Sequence, residues 1–418
     1  MLFGQFLLLW KNSEPFLETK SFMQTQRARA RAKWISIVGA RPQFVKVAPL
    51  CRAVEECNRQ FRNAQIEHQI VHTGQHYDRE VAGIFFEQMK IPAPKYNLGV
   101  GSGSHGTQLA RMLARMEPVL RSQKPDWVLV YGDTNSTLAG ALLAARLKLP
   151  LAHVEAGCRS DVHTQPEEQN RIVADHLSQL LFVTSEKTAA TLYREGIGAA
   201  NDPLQRRIAI VGDILLDALV QNCAIAERDT HAFLGQYDLQ AKSYFLLTLH
   251  RAENTDNPER LRAILEGVAG LGAPVLFPVH PRTQNSLAQA GISLNGNLKP
   301  VAPLGYFEML AVQKNALKIL TDSGGVQREA FYLQIPCITL RDTTEWVETV
   351  EAGANRLVAP DPAEIQAAAL EQKDVAWGNF MPYGDGQAAQ RIVKILHSGF
   401  REAHGLPSSL EKSASATA

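Results

Sequence analysis

A chain of 418 residues is long for one domain, and 45% apolar content is enough for two ordinary cores. The formal charge of +1 excludes a global electrostatic pull toward nucleic acid or an acidic membrane surface. The five cysteines, Cys51, Cys57, Cys158, Cys223 and Cys337, show no zinc-ligand spacing, and their odd number argues against a disulfide framework, so free thiols in a reducing cytoplasm are expected.

Residues 1–32 read as a disordered leader, or as the product of an upstream start codon with Met23 as the true one. Phe3 to Trp10 is apolar but too short to span a bilayer, and the basic run Gln26 to Lys33 follows it, whereas a secretory signal has the charge first. Trp34 to Val38 is the first expected strand. It runs into Gly39-Ala40-Arg41-Pro42-Gln43 and a helix reaching the Cys57 region. The helix start offers free N–H groups to an anion; Arg41 supplies a phosphate-shaped fork and Lys46 extends from the first turn. Gln69 to His72 is the next strand, and Glu80 to Met89 the next helix. His72 and His76 have the i, i+4 spacing of a zinc pair, but Gly74 argues against the helix such a pair needs. Gly101 to Gly106 fits Gly-x-Gly-x-x-Gly. Its lead-in is short and polar and no acid ends the second strand, so it reads as a Gly/Ser loop near a ligand and not as an NAD site.

The densest chemistry lies between Pro125 and Arg171. Trp127 to Tyr131 is a buried strand ending at Gly132-Asp133-Thr134, followed by a helix from Ser136 to Leu147 and a strand from Leu151 to Val154 that leads into Glu155. This parallel strand–helix–strand unit places Asp133 and Glu155 at carboxyl ends, where open α/β sheets bind ligands. Pro166-Glu167-Glu168 opens the next helix. Singly, each acid reads as a cap or a solvated loop residue; three acids near strand ends, among Gly, His and Arg, mark a site. Leu180 to Thr184 is a further strand with a helix to Arg194, and Asn201 to Arg207 reads as a linker.

Beyond the linker the alternation restarts, from a strand at Ile208 to Val211. Later strands end in His250-Arg251, His280-Pro281, Thr321-Asp322-Ser323-Gly324-Gly325 and Arg341-Asp342. The Ser323-Gly324-Gly325 turn is the best phosphate cradle in the chain: two glycines admit a diphosphate to the backbone and the helix dipole favours its charge. Glu329, one turn on, suits ribose hydroxyls, and His250 and Arg341 are cationic partners for the diphosphate. The expected fold is therefore α/β, two Rossmann-like doubly wound domains over 33–206 and 207–384. A last helix within 385–400 docks back on the first domain, and a disordered tail covers 405–418.

Taken in order, GARPQFVKVAPL, TGQHYD, YGDTNST, HVEAG, PEEQNR, LHRAEN, PVHP, TDSGGVQREA, RDTTE and YGDGQA resemble the non-hydrolysing UDP-N-acetylglucosamine 2-epimerases, from about Trp34 to Leu396. The resemblance implies a GT-B arrangement with the site in the interdomain cleft, a cytoplasmic homodimer, a UDP-sugar substrate, and no NAD, other cofactor or metal. It implies inversion at C2 by elimination of UDP to a 2-acetamidoglucal and re-addition. It assigns Asp133, Glu155 and Glu167 as the catalytic acids, Lys46 and His250 as charged site residues, and Ser323, Gly324, Gly325 and Glu329 as the UDP-binding turn. The base is left open between Asp133 and Glu155. Tyr77 and Ala252 stand where some members carry Arg, and GARPQF and TGQHYD also resemble epimerases of UDP-2,3-diacetamido-glucuronic acid. A hydrolysing variant releasing UDP and N-acetylmannosamine is the other alternative.

Overall fold

The computed structural model describes residues 31–403 except 63, 76–78, 229, 295, 373–374, 376 and 378–380. The expected leader up to residue 30, the tail from 405 and His76 lie outside the described residues. Two parallel sheets organise the chain. The first contains β1 (Arg31–Val38), β2 (Gln65–His72), β3 (Tyr96–Asn97), β4 (Trp127–Tyr131), β5 (Leu151–Ala156), β6 (Leu180–Val183) and β7 (Arg207–Ile210), in the order β3-β2-β1-β4-β5-β6-β7. The second contains β8 (Phe245–Thr248), β9 (Val275–Pro278), β10 (Leu298–Val301), β11 (Lys318–Thr321), β12 (Cys337–Thr339) and β13 (Asn355–Leu357), in the order β10-β9-β8-β11-β12-β13. In each, the chain walks outward from the centre, returns, and walks the other way, so the order reverses beside β1 and beside β8. Ligands bind beyond the carboxyl ends of strands at such reversals.

The central strands are continuous apolar runs because helices cover both faces. Phe44, Leu50 and Val54 pack one face of the first sheet, and Met112, Met116 and Ala139 the other. Leu261, Ile264 and Ile365 cover one face of the second sheet, and Met309, Val312 and Ala330 the opposite one.

Two expected boundaries move. Arg31 and Ala32 belong to β1, in register with Gln65 and Ile66, so the first strand begins inside the stretch read as a leader. Arg207–Ile210, expected to open the second domain, pairs with β6 as the edge strand of the first sheet. Its half-exposed pattern and the polar turn before it disguise that membership. The crossover to the second lobe follows at Gly212-Asp213. There Gly212, at φ 92°, lies so close to the returning chain that a Cβ would sit 2.8 Å from the Tyr383 carbonyl. The helix Ile214–Arg228 begins here. Its Asp217 accepts hydrogen bonds from the N–H groups of Ala388 and Ala389 at 3.0 and 2.8 Å, capping the last helix, Ala388–Ala403. That helix lies on the first lobe, where His397 donates through Nε2 to the Ala64 carbonyl at 2.7 Å.

Candidate active site

The strand–Gly turn–helix logic delivers the first-lobe acids. β4 ends at Gly132, at φ 60°, and Thr134 caps the helix Asn135–Arg146, which leaves Asp133 free of the capping role. Its carboxylate takes Arg171 Nη2 at 2.5 Å, while Asn170 donates to its carbonyl at 2.9 Å. Glu155 lies within β5, not after it: the register slips between Val154 and Ala156, and Glu155 adopts φ 72°. This bulge re-aims the side chain, at the cost of a left-handed backbone that a non-glycine residue disfavours.

The Glu155 carboxylate is buried between two cations. Lys46 Nζ, from the helix Arg41–Gln60, reaches Oε1 at 2.8 Å, and Arg328 Nη1, from the second-lobe helix Gly324–Tyr332, reaches Oε2 at 2.6 Å. Burial alone would raise its pKa, but Arg328 and Lys46 outweigh burial and bring it down to about 2, so it is ionised at neutral pH. Gly132 is required here twice, by its positive φ and because a Cβ would come within 3.0 Å of Lys46 Nζ.

Beneath both acids, His153 is wholly buried. It faces Asp175 through Nδ1 at 2.7 Å and the Gly132 carbonyl through Nε2 at 2.8 Å. Asp175 also accepts from Gly157 N–H at 3.1 Å and from Arg159 at 2.7 Å, tying together the glycine turns that follow β4 and β5.

Glu167 and Glu168 part company. Glu168 is fully buried, paired with Arg171 at 2.6 Å and accepting from the N–H groups of Ser160 and Asp161. Glu167 stands half-buried in the first turn of the helix Pro166–Leu177, where its charge acts on Arg251 and Arg282 of the second lobe. Arg251 also feels Glu345, Asp133 and Asp322. Burial opposes its charge, these acids outweigh it, and its pKa rises. Asp133 and Glu167 thus look across the cleft at one second-lobe guanidinium.

The second lobe presents the cradle. Ser323 caps the helix Gly324–Tyr332 by accepting from Val326 N–H at 3.5 Å. The two glycines differ. A Cβ on Gly324 would lie 2.7 Å from Glu345 Oε1 and 2.9 Å from Trp346 Nε1, whereas one on Gly325 would meet only Ser323 Oγ at 3.8 Å. Only Gly325 faces open space. His250 sits beside the cradle with Nδ1 3.0 Å from Asp322, its side chain 42% exposed. Arg341, expected as a cationic partner for the diphosphate, is fully buried and pairs with Glu345 at 2.9 Å and Glu253 at 3.4 Å. Arg41 packs its guanidinium 4.6 Å over the Phe85 ring, and burial lowers its pKa against the opposing pull of Glu329. Glu329 accepts from Gln313 at 2.8 Å, and burial raises its pKa. In the second lobe, Arg328 Nε, Trp346 Nε1, Gln327 Nε2 and Arg341 Nη2 are buried donors without hydrogen-bond partners, and Trp346 Nε1 lies near Gly324.

Arg328 went unread in the sequence, as did the pairing of Asp213 with it. Its one available signal was position: a basic residue one turn beyond a Gly-Gly helix start. Among the described residues, no group of three or more His, Cys, Asp or Glu is placed to hold a metal, and no helix is long and apolar enough to cross a membrane.

Two doubly wound parallel lobes facing each other over a charged cleft define the GT-B class of nucleotide-sugar proteins. The sequence profile described as UDP-N-acetylglucosamine 2-epimerase matches residues 59–397. A UDP-N-acetylglucosamine 2-epimerase of Methanocaldococcus jannaschii is 45% identical over 375 residues, 87% of this chain and 98% of its own. A Pseudomonas aeruginosa UDP-2,3-diacetamido-2,3-dideoxy-D-glucuronate 2-epimerase is 42% identical over 369 residues, 87% of this chain and 99% of its own. The crystal structure of M. jannaschii UDP-GlcNAc 2-epimerase in complex with UDP-GlcNAc and UDP matches with TM-score 0.81 at 44% identity, over 88% of this chain and 100% of that one. Another structure of the M. jannaschii enzyme, over the same shares and at the same identity, matches with TM-score 0.68. The chain belongs to the UDP-N-acetylglucosamine 2-epimerase family.

Proposed function

We propose that the protein inverts C2 of UDP-N-acetylglucosamine, giving UDP-N-acetylmannosamine. The observation that carries this reading is the opposition across one cleft of the first-lobe acids, with Glu155 ionised, and a second-lobe Gly-Gly helix start. The C2 hydrogen is not beside a carbonyl, so direct deprotonation is unfavourable. Elimination avoids that difficulty: a base takes the C2 proton, the C1–O bond breaks with its electrons going to UDP, and a 2-acetamidoglucal remains. Re-addition forms the C1–O bond again while a proton reaches C2 from the other face.

In this scheme the helix start at Gly325, with His250, receives the departing diphosphate, since fixed N–H dipoles and a nearby cation stabilise charge that develops as the bond breaks. Arg41 and Glu329 flank the nucleoside and Arg341 orients the cradle through Glu345. Glu155, kept ionised by Lys46 and Arg328, stabilises the electron-poor C1 or takes the C2 proton; Asp133 is the other base candidate, and Glu167 assists proton return. We further place the protein in the cytoplasm as a homodimer, for which sedimentation should give about twice the 46.0 kDa chain mass.

Incubation with UDP-N-acetylglucosamine in heavy water, read by NMR, tests the reaction. Deuterium at C2 of a manno product supports it; free N-acetylmannosamine with UDP would make the protein a hydrolase. The Pseudomonas relative supports a second reading, a UDP-2,3-diacetamido-glucuronic acid substrate, to be assayed in parallel.

A further inference from the structure

We propose that Arg328 is a positioning residue that couples closure of the cleft to the acid Glu155, an inference that rests on the epimerase reading above. Arg328 is a second-lobe side chain with three simultaneous engagements. Its Nη1 lies 2.6 Å from Glu155 Oε2 across the cleft and 2.8 Å from Asp213 Oδ2 at the interlobe crossover. Its guanidinium carbon lies 3.7 Å from the centre of the Trp346 ring, on whose face it stacks. Tyr332, from the same helix as Arg328, donates to the same Asp213 oxygen at 2.5 Å. A further donor, Nε, is buried and has no hydrogen-bond partner.

The charges form a buried chain: Lys46, Glu155, Arg328, Asp213. Lys46 and Glu155 belong to the first lobe, while Arg328 and Asp213 meet at the crossover. Parting the lobes separates the chain in its middle and leaves each half neutral, so no buried charge is stranded in the open state. Closing adds the central contact and fixes Glu155 from its second side. The acid therefore reaches its final position only when the lobe carrying the nucleotide cradle has arrived. The groups that face Glu155 are Lys46 from the helix Arg41–Gln60, Arg328 from the helix Gly324–Tyr332, and Cys158 from the following loop, a thiol that burial keeps protonated.

The test uses Arg328→Gln and Arg328→Lys in the full chain, with circular dichroism as the check on folding. Two readouts are followed: the pH profile of kcat, and compaction on adding UDP, measured by small-angle X-ray scattering. For Arg328→Gln the acid limb of the profile should move up by about one pH unit, since one of the two stabilising cations is lost. Its kcat at neutral pH should fall about 100-fold, the scale of a misplaced reacting group. UDP should no longer compact it. Arg328→Lys keeps the charge and should return the acid limb to its wild-type position. It should compact less than wild type, because an ammonium cannot span Glu155 and Asp213 while stacking on Trp346. A folded Arg328→Gln chain with an unmoved acid limb and wild-type compaction overturns the proposal, as does a wild-type chain that UDP does not compact. If Arg328→Gln does not fold, Arg328→Lys decides: wild-type compaction with kcat within about threefold of wild type overturns it. If the wild-type chain epimerises no UDP-sugar, the epimerase reading fails, and the compaction measurement still decides the role of Arg328.

Discussion

The two glycines of the cradle separate binding from folding, and substituting each with alanine tests where the nucleotide sits. At Gly325 the new methyl would meet only Ser323 Oγ at 3.8 Å, an ordinary contact. The residue lies in the first turn of a helix, where alanine is the better former by up to about 1 kcal/mol. Gly325→Ala should therefore melt at or slightly above the wild-type temperature. The same methyl occupies the space in which a diphosphate must approach the backbone, and UDP affinity should fall at least about tenfold, or about 1.4 kcal/mol. At Gly324 the pattern inverts. The methyl would lie 2.7 Å from Glu345 Oε1 and 2.9 Å from Trp346 Nε1. Glu345 cannot retreat freely, since Arg341 holds it at 2.9 Å and Arg251 at 3.3 Å. Overpacking of this kind costs about 1–3 kcal/mol, and Gly324→Ala should melt lower. Thermal unfolding and calorimetric titration with UDP read both effects. Wild-type UDP affinity in Gly325→Ala would refute the placement of the diphosphate at this helix start.

Asp133→Asn should leave UDP affinity within about threefold of wild type while kcat falls at least about 100-fold, the usual scale for losing a general acid or base, as single-turnover and binding measurements will read. The Glu155 carboxyl is lowered in the fold to about 2, so it contributes stability that is present above its unfolded pKa and lost as pH falls through its folded one. Glu155→Gln should thus be less stable at pH 7 in denaturant titrations, and the gap to wild type should narrow as pH drops below about 4.3. Asp217→Ala removes the cap of the last helix and should cost about 1 kcal/mol, seen as faster hydrogen exchange across Ala388–Ala403 with UDP binding unchanged.

What could be read in advance was what local pattern controls. Apolar runs closed by Gly or polar clusters marked β4, β5 and β11, and the acids at Asp133 and Glu155 followed from those ends. Edge strands were harder. β7 is half-exposed and follows a turn built on Asp202, so nothing local says which sheet it joins; hydrogen bonding to β6 decides it. β13 is three residues long and β10 contains Pro300, and both are strands only because a central neighbour supplies the ladder. Within the site, Glu168 stands in a helix first turn beside Glu167, and nothing local tells that it alone is fully buried against Arg171. Arg328 is the clearest case, since its bond to Glu155 joins residues 173 apart in sequence. Helical periodicity describes the face of the helix on which Arg328 lies. It cannot report what another lobe brings to that face.

The chain passes between the lobes beside itself: a Cβ on Gly212 would come within 2.8 Å of the Tyr383 carbonyl and 3.5 Å of Gly384 Cα, both in the turn by which the chain returns. The two covalent connections between the lobes thus lie side by side, so a change in the angle between the lobes is taken up at these two passes together. A substitution that stiffens Gly212 or Gly384 would slow entry of substrate and escape of product together, without touching any group that meets the sugar.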